Sequence, residues 1–220
     1  MSRQKLKRFA DNLADPLVLE DTKTIYNKLK GNWNKSFFNQ PQPITLELGC
    51  GNGEYSVGLA SKFPERNFVG IDVKGDRLWV GSKEAKDAGL NNVGFLRAQI
   101  QSITDFFEEN EVATIWVTFP DPRPRDRDIK RRLTGPRFLD MYKSILQPEG
   151  QVFFKTDNTG LFEYTLEVLN ERNDILDLAY TFNLYESEYM DEHYGIKTRF
   201  EKKFYDLGEN IKYLKFKFAQ

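Results

Sequence analysis

The chain has 220 residues, with 32 Lys and Arg against 33 Asp and Glu, one His and one Cys. That length supports one α/β domain with added segments and a core that needs no staples, and the lone Cys50 excludes both an intrachain disulfide framework and a thiolate-rich zinc site. No stretch approaches the ~18 apolar residues of a membrane span, and the start MSRQKLKRF leads into no apolar leader, so a cytoplasmic protein without metal or membrane is expected. A net charge of −1 counts, by itself, against a nucleic-acid partner, since such domains usually carry a positive excess.

Residues 1–40 read as an N-terminal extension, partly helical or flexible, with a helix expected near TKTIYNKLKG (22–31). Residues 41–220 read as a single domain in which short β-rich runs alternate with amphipathic runs. Strands are expected at 43–49, 67–72, 93–98, 113–120 and 150–157, with helices over 54–63, 75–89, 102–110 and 136–146. A helix over 159–172, a strand over 175–185, a short helix at 199–208 and a last strand, NIKYLKFKF, complete the chain. Alternation of this kind predicts a Rossmann-like α/β fold, with helices on both faces of a seven-stranded, mostly parallel sheet carrying one antiparallel strand late in the chain.

The most informative motif follows the first of these strands: Glu47-Leu48-Gly49-Cys50-Gly51-Asn52-Gly53. Glycines at 49, 51 and 53 suit a sharp strand-to-helix turn at which backbone approaches a ligand, because a Cβ would obstruct both. The dinucleotide fingerprint needs a further glycine at 54, where this chain has Glu54. Glu47 would repel a pyrophosphate and suit a cation, which favours S-adenosylmethionine, with its sulfonium and α-ammonium, over a dinucleotide. Asp72 ends the second strand, where a carboxylate can accept from both ribose hydroxyls, and Gln99 follows the third, within reach of an adenine edge. Each residue taken singly also fits a structural turn with surface carboxylates.

The fourth strand runs into FPDPRPRDRDIKRRL, whose prolines stiffen the backbone and fix where Asp121 points. Residues 121–137 hold seven basic against three acidic side chains, a local charge of +4. Such a run is commonly a solvated face; beside a cofactor turn it becomes a candidate phosphate-contacting surface, which Lys5, Lys7 and Arg8 would extend if the N-terminus folds nearby.

Taken together, ELGCGNGEY, GID at 70–72, TFPDP with the KRRL run, FKTDN at 154–158 and TRFEKKF at 198–204 resemble the bacterial tRNA (guanine-N7-)-methyltransferases, in order from about residue 44 to the C-terminus. The resemblance implies methyl transfer from S-adenosylmethionine to N7 of a guanosine in the tRNA variable loop, usually position 46; a monomer or weak homodimer is expected, though the sequence itself does not give the oligomeric state. It also implies that Glu47, Asp72, Gln99 and Asp121 bind cofactor, with Asp121 the catalytic residue. Arg125, Asp157 and the segment Thr198, Arg199, Phe200, Glu201 would contact substrate, and Arg127, Lys130, Arg131 and Arg132 would meet the RNA. The chain departs from the family in having Arg123 where Trp is common, and Asp126 and Asp128 where basic character is common.

Thr198 to Glu201 is equally a capping box, and Asp157 equally a helix cap. His193 is assigned no role, and Tyr185, Tyr189 and Tyr194 are weak stacking candidates. Methylation of a small molecule and a non-catalytic RNA-binding module remain alternatives; Glu54 disfavours a dehydrogenase.

Overall fold

The computed structural model describes residues 3–219. It begins with α1 (Arg3–Ala14) and a two-residue strand β1 (Val18–Leu19), followed by β2 (Ile44–Leu48), α2 (Glu54–Lys62), β3 (Asn67–Asp72), α3 (Gly75–Asp87) and β4 (Val93–Arg97). The second half comprises β5 (Val112–Thr118), α4 (Pro136–Ile145), β6 (Leu146–Thr156), α5 (Thr159–Asn170), β7 (Ile175–Thr181), α6 (Arg199–Asp206) and β8 (Lys212–Phe218). These strands form one sheet in the order β1-β4-β3-β2-β5-β6-β8-β7. Neighbours are parallel except at β8, which runs antiparallel to both β6 and β7. This is the Rossmann-like arrangement expected, with one strand more.

Burial follows position in the sheet. All five residues of central β2 are buried, whereas edge strand β7 is half exposed. Successive side chains point to opposite faces, so Ile115 and Val117 of β5 join one apolar layer with Leu46, Tyr142 and Phe154. Trp116 joins the other, stacking on Phe153 at 4.4 Å and meeting Tyr55 edge-on at 5.0 Å.

The departures from the expected elements lie mainly where helical periodicity was ambiguous. The α-helix of the N-terminal segment is at 3–14, and the helix expected over 22–31 is replaced by a 3₁₀ turn at Tyr26–Lys28 and a π-type turn at Trp33–Phe38. Gly31 at φ +70° and Asn39 at φ +52° interrupt any regular helix there. The apolar residues of this segment are single anchors: Trp33 is fully buried, donates Nε1–H to the Phe106 carbonyl at 2.8 Å and stacks on Phe107 at 5.0 Å. β1 is too short to leave a periodic signal, yet it pairs in parallel with β4 through Val18 and Leu19. The helix expected over 102–110 is a kinked 3₁₀ segment, Ile100–Asp105, and the strand expected to reach 185 stops at Thr181.

Helix α1 lies along α3. Asn12 Nδ2 donates to the Gly75 carbonyl at 2.8 Å, Lys5 pairs with Asp76 at 3.2 Å, and the Arg8 guanidinium sits 4.8 Å from the Trp79 ring. In the central sheet, β2 is flanked by β3 on one side and β5 on the other, and the chain leaves β2 at this reversal of strand order. Crevices open outside the carboxyl ends of strands at such switch points.

Trp33→Ala is expected to cost about 3–5 kcal/mol, because it empties a fully buried indole site. Equilibrium urea unfolding measures this, and an unchanged midpoint would show that the Trp33 indole contributes nothing to the core.

Candidate active site

A cleft of about 1180 Å³ runs along the carboxyl ends of β2 to β6. Its volume exceeds the ~300–1,000 Å³ usual for one small ligand, leaving space for a cofactor and a second group. One half is walled by the glycine turn, Asp72 and Gln99; the other by the Asp121 loop, Asp157 and the start of α6.

Gly49, Gly51 and Gly53 all adopt positive φ, at +75°, +56° and +75°. Their reasons differ. A Cβ on Gly53 would lie 2.4 Å from the Phe95 ring, so this glycine serves packing of the turn on β4. At Gly49 and Gly51 nothing lies closer than 3.8 Å, and both line the cleft. Asp72 closes the turn: one carboxylate oxygen accepts from Gly51 N–H at 3.0 Å and the other from Lys74 N–H at 2.8 Å. Gln99 stands at the same edge, its amide oxygen accepting from the Gln101 side chain.

Glu47 borders the cleft but is almost wholly enclosed. Ser56 donates to Oε2 from its N–H at 2.9 Å and its hydroxyl at 2.5 Å, and Thr118 donates to Oε1 at 2.6 Å. Burial pushes its carboxyl up to about 7, and the Ser56 and Thr118 hydrogen bonds oppose that rise. The glycine turn is thus pinned from below by a carboxyl group shared between α2 and β5.

The Asp121 loop carries two non-glycine residues in left-handed conformation, Phe119 at φ +48° and Arg123 at φ +47°. Between them Asp121 accepts from Arg123 N–H at 3.2 Å and faces Arg123 Nε at 3.2 Å. Arg132, expected to meet RNA, is half-buried and braces the loop. It donates to the carbonyls of Pro122 and Arg123 at 3.2 and 3.3 Å and stacks 4.3 Å from the Tyr164 ring. Lys130 and Arg131 line the cleft and also an adjoining basic pocket of about 530 Å³, where Arg125 and Arg127 lie. Arg125 is therefore in this neighbouring pocket and not on the cleft wall. Arg137, which sequence reasoning counted in the charge but did not single out, faces the cleft, as does Arg77 of α3.

On the far wall, Asp157 is half-buried, and burial raises its carboxyl above the ordinary range. Thr198 caps α6, its Oγ1 accepting from Glu201 N–H at 3.1 Å. Arg199 reaches across to Glu54 at the start of α2, by backbone and guanidinium contacts of 2.8 Å each, and Phe200 projects, exposed, into the cleft. Glu201 is placed otherwise: it is fully buried beneath the wall, bonded to Lys155 at 2.9 and 3.1 Å and to the Tyr185 hydroxyl at 2.7 Å. Tyr185 is spent on that bond, Tyr194 packs edge-on against Phe63, and Tyr189 lies against Tyr213, so these three rings belong to the interior layer and not to the cleft lining. Lys155, Ser56 and Thr118 escaped sequence reasoning. A signal for Lys155 existed: it is a lysine on the apolar alternation of a central strand, in phase with Phe153.

The family described as "Putative methyltransferase" matches residues 41–214. Over 219 residues the chain is 46% identical to the tRNA (guanine-N(7)-)-methyltransferase of Cytophaga hutchinsonii, covering 99% of each. It is 43% identical over 223 residues to the enzyme of that name from Christiangramia forsetii, and 39% identical over 205 residues to that from Levilactobacillus brevis, covering 98% and 88% of those proteins and 98% and 90% of this chain. The chain belongs to this methyltransferase family. Solved structures share the fold: the 16S rRNA methyltransferase KamB superposes with a TM-score of 0.61 at 16% identity, over 92% of this chain and 95% of its own. An antibiotic-related methyltransferase does so at 0.59 and 22%, over 83% and 90%.

In this family member the Glu47 carboxyl sets a pH signature. Its folded value, about 7, lies above the ordinary 4.5, so between these limits the unfolded chain releases a proton that the folded chain keeps. Glu47 therefore withdraws stability as pH rises from about 4.5 to 7, by up to about 3 kcal/mol, and adds no further slope above. Glu47→Gln, which can still accept from Ser56 and donate to a hydroxyl, is expected to gain on wild type progressively across that window. Urea midpoints of both proteins from pH 5 to 8 test this; a constant difference would refute it.

Proposed function

We propose that the chain transfers a methyl group from S-adenosylmethionine to N7 of a guanosine in tRNA, at position 46 of the variable loop. The observation that carries the reading is one cleft with two unlike halves: a glycine-floored half bearing Glu47 and Asp72, and a half in which Asp121 and Asp157 stand beside a basic rim. The first half suits the cofactor. Asp72 carboxylate oxygens retain acceptor capacity beyond their two backbone bonds, as ribose hydroxyls require, and Gln99 offers an amide to an adenine edge. Asp121 is an exposed carboxylate on the cleft wall, the kind of group that would hold the cofactor's ammonium. When bound, S-adenosylmethionine supplies an electrophilic sulfonium methyl.

Guanine N7 carries an in-plane lone pair, so no residue need remove a proton before transfer. The residues act by alignment and charge. Asp121, on a loop held by Arg132 and by two left-handed residues, and Asp157, at the end of the adjoining strand, present carboxyl groups toward a purine that becomes cationic. A carboxyl at Asp157 can also accept from guanine N1–H and the exocyclic amine, which adenine cannot supply in that pattern. Lys130, Arg131 and Arg137 on the rim, with Arg125 and Arg127 beside it, suit phosphates and fix orientation. A base must leave its stack to enter the cleft. The reading places the enzyme in the cytoplasm, where its tRNA substrate and the free Cys50 both belong.

Incubation with unmodified tRNA and methyl-labelled S-adenosylmethionine, followed by mapping, is expected to place the label on N7 of one variable-loop guanosine. Label on a carbon, on an exocyclic nitrogen or on another nucleotide would overturn the proposal. Asp121→Ala is expected to lose about 100-fold or more in turnover while its unfolding free energy in urea stays within about 0.5 kcal/mol of wild type, because the exposed pair with Arg123 contributes little to stability. Near-normal turnover would remove Asp121 from the reaction.

A further inference from the structure

The ion pair between Lys155 and Glu201 has no exposed side-chain surface on either partner. The Nζ lies 4.4 Å from the Tyr55 ring centroid, in the same apolar layer as Trp116 and Phe153. Withdrawing two charges from water is seldom repaid in stability alone, so what the pair connects is the informative part. Lys155 sits near the end of β6, two residues before Asp157, and its carbonyl accepts from Phe119 N–H at 2.9 Å, two residues before Asp121. Glu201 is the third residue of α6, and its N–H is the one capped by Thr198. A single buried contact therefore joins the bases of three walls: the Asp121 loop, Asp157, and the segment from Thr198 to Phe200.

We propose that Lys155 is a positioning residue for the substrate half of the cleft, and that Glu201 acts through Lys155 and not by touching the base. This rests on the guanine-methylating reading given above. Both Glu201 oxygens accept hydrogen bonds from Lys155, and Oε1 also accepts from Tyr185, so the carboxylate is committed to the protein interior. Loss of either partner leaves an unpaired charge in an apolar layer and displaces the start of α6, carrying Arg199 and Phe200 with it. The cofactor half is built on β2, β3 and β4 and meets the start of α6 at the solvent-exposed Arg199–Glu54 contact, which is worth little on its own.

The test compares Lys155→Met, Glu201→Met and the double variant K155M/E201M. Each single variant is expected to lower kcat/KM for tRNA by about 100-fold, chiefly through KM, with the Kd for S-adenosylmethionine in the absence of RNA within about threefold of wild type. The double variant replaces the pair by apolar groups of similar volume and is expected to recover to within about tenfold of wild type. A double variant as impaired as Glu201→Met would mean that Glu201 touches the base, and would overturn the proposal, as would a near-normal Lys155→Met. Should a single variant not fold, the double variant's kcat/KM remains decisive. Amide hydrogen exchange over residues 198–206 gives a readout without catalysis: protection lost in a single variant and regained in the double supports the proposal, and protection unchanged in the single variants overturns it. Wild type that methylates no guanine N7 in tRNA would sink the functional reading, whereas active wild type with an inactive double variant sinks the positioning role alone.

Discussion

A charged group can be taken into an apolar layer only where its protons and lone pairs all find partners, and one face of this sheet carries two such groups. Lys155 and Glu47 both point into the layer that holds Tyr55, Trp116 and Phe153, and each is satisfied by groups from other elements. Burial pushes the Lys155 ammonium down while Glu201 and Glu47 pull it back up, so the charges hold one another in place. Those requirements dictate where α2 begins, where β5 ends and where α6 docks, since Ser56, Thr118 and Glu201 are the partners. The cleft walls stand on these satisfied charges.

Above that layer, the order of strands decides which chemistry meets which. β2 lies between β3 and β5, so the glycine turn faces Asp72 on one side and the Asp121 loop on the other. Residues separated by dozens of positions become the two halves of one site because parallel strands deliver all their carboxyl ends to one edge. The loop following β5 stores some strain at Phe119 and Arg123, and its bracing by Arg132 fixes the exposed Asp121. Arg132, counted from the sequence as an RNA contact, also braces the loop, while Arg137 and Arg77 take places on the cleft wall.

The total charge of −1 conceals a directional surface. Lys130, Arg131 and Arg137 face the cleft, with Arg125 and Arg127 on its flank, while acidic side chains gather elsewhere, as at Glu186, Glu188, Asp191 and Glu192. A near-neutral sum with a basic rim orients an anionic partner without general adhesion to polyanions.

Local pattern determined a good deal. Alternating and helical periodicities placed five of the strands within about two residues of their observed bounds and the eight-residue α6 where TRFEKKF begins with its capping threonine, because each of these depends on interactions within a few residues. The glycine turn, Asp72, Gln99, Asp121, Asp157 and Phe200 were legible as well, since an edge residue after a strand reaches the cleft whatever lies beneath it. What tertiary structure alone decided was the partner of each buried or folded-back charge. Whether Glu201 faces a ligand or Lys155, and whether Arg132 faces solvent or the loop carbonyls, depends on contacts 46 and 10 residues away in the chain. The anchoring of Trp33 on Phe106 and Phe107 is of the same kind. No periodicity encodes such pairings, because the desolvation that makes them necessary exists only once the sheet and its helices have closed over them.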